Sequence, residues 1–150
     1  MHLDIKYGFT FNEIKKKFPR KYLYKFKNYN KNETQDLILA KTIQGFSAYL
    51  KKIKPDLVVV HGDRVEALAG AISSSLNNIL TLHIEGGELS GTIDEHLRHS
   101  ISKLSHLHVV SNVQAKKRLI YKLGEKASNI FVCGSPDIDI MRQDNLPEIN

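Results

Sequence analysis

The stretch "DLVVVHGDRVEALAGAISSSLNNILTLHIEGGE", residues 56–88, decides the fold. It opens on a β-branched run, passes through His61-Gly62-Asp63-Arg64, and continues with Val65, Leu68, Ile72 and Leu76 at helical spacing. The turn pair Asn77-Asn78 leads into a second apolar run, "ILTLH" (79–83). An apolar run, a 3.6-residue period and another apolar run, joined by short connections, form a strand-helix-strand unit. "DLVVV" (56–60) has the composition of a strand buried on both faces, the usual setting of a parallel strand.

The same alternation extends in both directions. Upstream, "ETQDLILAKTIQGFSAYLKKI" (33–53) places Leu39, Ile43, Phe46, Leu50 and Ile53 on one helical face. Asn32 is its expected cap and Pro55 its stop. Downstream, Thr92 followed by Glu95 fits a capping box for a helix whose stripe is Ile93, Leu97, Ile101 and Leu104. "HLHVV" (106–110) is a third strand, "NVQAKKRLIYKLG" a helix capped by Asn112 and stopped by Gly124, and "NIFVCG" (129–134) a fourth strand. The expected fold class is α/β: a Rossmann-like parallel sheet with helices on both faces. The chain opens on "MHLDIKYGFTF" rather than on a strand feeding a glycine-rich turn, so the domain is expected to lack its first strand. Residues 1–136 are assigned to this partial domain, and 137–150 to the start of a connection or tail. A sheet so shortened is expected to expose an edge and apolar surface, and to be weakly stable or aggregate.

Composition narrows the function classes. At 150 residues and 41% hydrophobic content, one core is expected. No run approaches a membrane span, and no signal peptide opens the chain, which points to a cytoplasmic protein without a membrane partner. The lone Cys133 is expected to be a small buried hydrophobe. The net charge of +6 is uneven: residues 1–54 carry thirteen Lys/Arg against four Asp/Glu, the remainder nine against twelve. "IKKKFPRKYLYKFKNYNK" interleaves lysine with aromatics, yet no nucleic-acid motif accompanies it, so a solvated lysine-rich face is the expectation and nucleic acid is not an expected partner.

Ligands of doubly wound sheets bind beyond the carboxyl ends of the strands. There the first strand delivers His61, Asp63 and Arg64, the second His83, Glu85, Gly86 and Gly87, and the next helix begins with Asp94 and Glu95. Asp63, Asp94 and Glu95 could equally serve helix termini, whereas Glu85 has no such structural duty. Three acids converging on one rim would repel one another and raise at least one pKa, giving a donor and an acceptor of protons at neutral pH. His61, Asp63, His83 and Glu85 could also ligate a metal, and His106 and His108 form a weak pair, but no spacing is diagnostic and packing or hydrogen-bonding roles are favoured. Nucleophile-elbow, dinucleotide and phosphate-loop motifs are absent.

"VVVHGDRVEALAGAISSSLNNI", "HIEGGELSGTIDEHLRHSISKLSHLHVVS" and "GSPDID" closely resemble the hydrolysing UDP-N-acetylglucosamine 2-epimerases of sialic and legionaminic acid synthesis. The resemblance runs to about Met141. It implies one part of an enzyme about two and a half times as long, with two Rossmann-like domains flanking the active site. It implies elimination of UDP to a 2-acetamidoglycal, then hydration to N-acetylmannosamine, without metal or other cofactor. Matched position by position, Asp63, Glu85 and Asp94 are the implied catalytic carboxylates. His61, Arg64, Gly86 and Ser90 are the implied substrate contacts, with Arg98 supporting Asp94 by pairing with it. The implied partner is a nucleotide sugar, and the full-length enzyme is expected to be a homo-oligomer. UDP-N,N'-diacetylbacillosamine is the alternative substrate. A basic nucleic-acid-binding module and an inactive truncated product are the readings from other classes.

Overall fold

The computed structural model describes residues 8–30 and 32–141. Four parallel strands, β1 (Leu57–His61), β2 (Leu80–Ile84), β3 (Leu107–Val110) and β4 (Ile130–Val132), lie side by side in chain order. Helices α3 (Val65–Leu76), α4 (Ile93–Leu104) and α5 (Val113–Leu123) connect them, and α2 (Gln35–Ile53) precedes β1. The N-terminal part carries α1 (Phe11–Lys17), and α6 (Pro136–Ile140) follows β4. Residues 142–150, which include the rest of the expected tail, lie outside the described residues, as does the opening segment 1–7.

The parallel sheet is as expected, and its layering is the new information. Crossovers between strands that advance in one direction share one hand, so α3, α4 and α5 stack on the same face. Burial along β1 therefore alternates: Val58 and Val60 are covered, while Leu57 and Val59 are exposed. Among the described residues helices cover this one face, and Leu80 and Phe131 join the exposed apolar set on the other. The double burial expected of "DLVVV" is thus replaced by single-sided burial.

One core cluster gathers Leu50, Val58, Val60, Leu68, Ala71 and Ile101, and a second Val110, Ala115, Leu119 and Ile130. Fully buried Ile101 and Leu119 contribute about 1.5–3 kcal/mol each by leaving water. The centre of α3 packs through the small residues Ala69, Ala71, Ser73 and Ser74, which brings it close to the sheet. Leu76 and Ile93, placed on apolar stripes by their spacing, are instead 76% and 68% exposed at the helix ends. Cys133 is also exposed: it follows the last described strand, where α5 reaches only Ile130. At the start of α2 the N-cap residue is Thr34, while Asn32 adopts a left-handed turn at φ 66°. Asn112 does cap α5, its Oδ1 accepting from the Ala115 amide at 2.8 Å.

The basic N-terminal segment docks through its aromatics. Tyr24 stacks on Tyr49 of α2 with centroids 4.1 Å apart, and Lys15 and Lys25 lie over the Phe11 ring. Aromatic residues that could have served as base-stacking platforms are here partly used for packing, with the lysines left at the surface.

Two constraints in the sheet region carry measurable consequences. His83 and His108 are cross-strand neighbours with no exposed surface. Burial pushes the His83 imidazole down to about 4, with His108, Arg98 and His61 adding to the effect, and burial also lowers His108 although Glu125 opposes it. Both imidazoles are neutral when folded and take up protons on unfolding, so stability is complete above about pH 6.5 and declines as pH falls toward 4. Urea denaturation of this chain is expected to show a loss of about 3 kcal/mol attributable to His83 between pH 7 and pH 4, a slope that its replacement by a non-titrating residue removes. The loop after β2 docks on α5 at Gly87, where φ is 79° and an added Cβ would lie 2.5 Å from the Ala115 carbonyl oxygen. Gly87→Ala is expected to destabilise the fold by more than about 1 kcal/mol in the same measurement.

Candidate active site

β1 and β2 end together, with His61 opposite Ile84, so the turns that follow them face one another. Beyond β1, the Gly62 amide donates to the Ile84 carbonyl at 3.0 Å and the chain passes through Asp63 to Arg64, the N-cap residue of α3. Asp63 therefore does not cap the helix. Its carboxylate pairs with the guanidinium of Arg98 on α4, through Oδ2 and Nη2. The other guanidinium nitrogen, Nη1, donates to the Glu88 carbonyl at 3.0 Å, so Arg98 ties the two turns together. The expected Arg98–Asp94 pairing is replaced by this longer-range one: helix geometry allows the former, but the turn after β1 brings Asp63 under the arginine. The side chain of Arg98 is only 13% exposed, which strengthens the pairing relative to a surface ion pair.

Beyond β2, Glu85 is a non-glycine residue at φ 67°. A left-handed backbone of this kind costs of the order of 1–3 kcal/mol and persists only where surrounding contacts impose it. The Glu85 amide donates to the Val109 carbonyl at 2.9 Å, and its Oε2 lies 2.8 Å from His61 Nε2. His61 is thus the partner of Glu85. Gly86 is buried, whereas Ser90 is exposed with its amide donating to Glu95 at 2.9 Å. The amides of Gly91 and Ser90 hold the Glu95 carboxyl below the usual carboxylate range. This replaces the expected capping box, since Thr92 makes no side-chain bond to the helix backbone and its hydroxyl instead lies 3.4 Å from Asp94 Oδ2.

Two clefts open at this rim. The larger, about 1150 Å³, is lined by Asp63, Arg64 and Glu66, by Ile93 and Asp94, and by residues of 28–30, 32–33 and the first turns of α2. The smaller, about 370 Å³, is lined by Gly62, Asp63, Glu85, Glu88, Arg98, Asn112 and Ser135 among others. Asp63 borders both, while Glu85 lines the smaller cleft and Asp94 the larger. The three acids share a rim without crowding into one pocket: Asp63 faces a guanidinium and Glu85 an imidazole, in place of the mutual repulsion expected from their convergence. Gly86 and Ser90 line neither cleft.

Residues that sequence reasoning passed over complete the rim. Glu88 accepts from Asn112 Nδ2 at 2.7 Å, and Arg118 donates to the Gly87 carbonyl at 2.9 Å, so α5 braces the loop after β2. Asn112 was legible only as a helix cap, and residues 28–30, 32–33 and the start of α2 carried no sequence signal for a cleft wall. His83, one of the candidate metal ligands, has both ring nitrogens within 3.0 Å of Ser102 Oγ and the Gly62 carbonyl. Among the described residues no group of three or more His, Cys, Asp or Glu is arranged to hold a metal ion. No described helix is long and apolar enough to cross a membrane.

A family model described as UDP-N-acetylglucosamine 2-epimerase matches residues 1–150. The chain is 46% identical over 149 residues to the UDP-N-acetylglucosamine 2-epimerase of Neisseria meningitidis, covering 99% of this chain and 39% of that one. It is 42% identical over 147 residues to the UDP-N,N'-diacetylbacillosamine 2-epimerase (hydrolyzing) of Legionella pneumophila, covering 95% and 38%. A crystal structure of the Methanocaldococcus jannaschii UDP-GlcNAc 2-epimerase in complex with UDP-GlcNAc and UDP superposes with a TM-score of 0.70 at 30% identity, over 79% of this chain and 34% of that one. The chain spans about two-fifths of the length of these curated relatives. The parallel sheet, its rim of acids and these matches together place the chain in the UDP-N-acetylglucosamine 2-epimerase family.

Proposed function

We propose that this chain supplies the acid-base part of a hydrolysing UDP-N-acetylglucosamine 2-epimerase acting in the cytoplasm, in the synthesis of sialic or legionaminic acid. The observation that carries the proposal is Asp63 bordering both clefts, with its carboxylate anchored by Arg98, Glu85 lining the smaller cleft and Asp94 the larger. In the first step a carboxylate removes the proton on the sugar's second carbon while the bond from the anomeric carbon to UDP breaks, leaving a double bond between the two carbons. Water then adds hydroxide to the anomeric carbon, and a proton enters the second carbon from the opposite face. UDP and N-acetylmannosamine are released. The two steps need proton transfer on both faces of one ring, which calls for more than one carboxylate at the rim.

Within this reading Asp63, Glu85 and Asp94 are the catalytic carboxylates. Arg64 borders the larger cleft and contacts the substrate there, His61 orients Glu85, and Arg98 is a positioning residue for Asp63. Gly86 and Ser90 act by shaping the loop that carries Glu85 and Asp94. Residues 1–136 form part of the first domain, 137–150 begin a connection, and the complete enzyme is a homo-oligomer in which a further domain supplies the main UDP contacts.

The test uses this sequence grafted into the Neisseria meningitidis relative in place of the segment it matches. The graft is expected to release UDP from UDP-N-acetylglucosamine, whereas the 150-residue chain alone is expected to release none; turnover by the isolated chain overturns the division of labour. In the graft, Asp63→Asn and Glu85→Gln are each expected to lower kcat by about 10²–10⁴-fold, and a loss below tenfold for both removes the assigned roles.

The similarity to a diacetylbacillosamine epimerase supports a second substrate, UDP-N,N'-diacetylbacillosamine. Both sugars share the UDP and the acetamido group next to the reacting carbon, so the same carboxylates serve either. Competition between the two nucleotide sugars in one assay separates them. A kcat/KM at least about tenfold higher for one substrate, or about 1.4 kcal/mol in the transition state, assigns it.

A further inference from the structure

We infer that His83 is a positioning residue that fixes the Asp63 turn from beneath, with Ser102 setting the tautomer of its imidazole. The inference deepens the proposed function, on which its catalytic consequence rests, but its geometric part stands without it.

His83 has no solvent-exposed surface and bonds on both nitrogens: Nε2 lies 2.9 Å from the Gly62 carbonyl, and Nδ1 lies 3.0 Å from Ser102 Oγ. A carbonyl only accepts, so Nε2 must carry the proton and donate. Nδ1 is then the acceptor, and the Ser102 hydroxyl donates to it. This pattern satisfies every polar atom of a neutral ring in a place where charge is costly. Burial together with His108 of β3, Arg98 of α4 and His61 of β1 keeps the ring neutral, so His83 holds its bond to Gly62 throughout the neutral range.

Ser102 and Arg98 lie one helical turn apart on α4. Arg98 holds the Asp63 carboxylate, and Ser102 orients the imidazole that holds the carbonyl just before Asp63. One helix therefore grips this residue at two points, through its side chain and through its backbone. The same pair supports the second turn of the rim. Gly86, directly after Glu85, is packed so that an added Cβ would lie 2.8 Å from Ser102 Oγ and 3.0 Å from His83 Nδ1. A buried histidine that merely filled space could be replaced by an apolar residue of similar volume without effect on the turn. A positioning histidine cannot, because only a donor at the place of Nε2 satisfies the Gly62 carbonyl.

Two measurements test the inference. In ¹⁵N NMR of this chain between pH 5 and 8, His83 is expected to show a protonated Nε2 and an acceptor Nδ1 that do not titrate. In His83→Leu the Gly62 amide is expected to exchange at least about tenfold faster, and His83→Gln, which keeps a donor, restores it to within about threefold. An Nδ1-protonated ring, a ring titrating near its ordinary value, or equal exchange in both variants overturns the inference. Should His83→Leu fail to fold, Ser102→Ala takes its place, and an unchanged Gly62 exchange rate in that variant likewise overturns it. In the grafted enzyme His83→Leu is expected to lower kcat about 10²-fold with KM changed by less than about twofold, and Gln to recover at least about tenfold of the loss. An inactive unvaried graft overturns the functional reading alone, and the NMR result then decides the positioning role by itself.

Discussion

The parallel pairing of β1 with β2, with His61 opposite Ile84, is the constraint from which the rest of the site follows. It makes two strands stop at one level, so that the turns after them share a rim and a single arginine can bridge them. Arg98 does so from α4, binding the Asp63 carboxylate and the Glu88 carbonyl together. A shift of one residue in this register would turn one of the two strands over, either burying His61 or exposing His83. The site is therefore specified by the same hydrogen-bond ladder that specifies the fold.

The arrangement also resolves an electrostatic problem. Three carboxylates confined to one pocket would compete for protons and destabilise the folded state, whereas here a guanidinium and an imidazole stand beside two of them and the third lies exposed at a helix start. Asp63 can then serve two clefts from one position. The cost appears in the backbone, where Glu85 adopts a left-handed conformation and the loop after it is braced against α5 by Arg118 and Asn112.

The interior beneath this rim is polar where an ordinary parallel sheet is aliphatic. Thr81, His83 and His108 occupy buried strand positions, Ser74 and Ser102 buried helix positions, and Ser105 is buried just past the end of α4. Thr81 Oγ1 meets Ser74 Oγ at 2.7 Å, and Ser102 meets His83. Networks of this type specify geometry more strongly than apolar packing does, because leaving one partner unpaired in a dry interior costs more than the bond itself contributes. On the opposite sheet face Leu57, Val59, Leu80 and Phe131 are exposed among the described residues.

The sequence by itself determined the class of fold, the four strands to within a residue or so at most ends, and the candidate carboxylates. These follow from local rules: apolar period, turn residues and the polar groups that interrupt a strand at its end. "HGDR" and "HIEGGELSGTID" were legible because strand ends in parallel sheets are where such residues have no packing reason to be. Tertiary structure alone decided which partner Asp63 and Glu85 received, that Arg98 serves Asp63 across 35 positions instead of Asp94 one turn away, and that residues before and at the start of α2 wall the larger cleft. It also decided that, among the described residues, helices cover one face, which exposes Val59, and that Leu76 lies exposed at a helix end and Cys133 beyond the last strand, despite their apolar patterns. Such pairings and coverings depend on how elements distant in the chain are stacked, and a local period cannot encode that geometry.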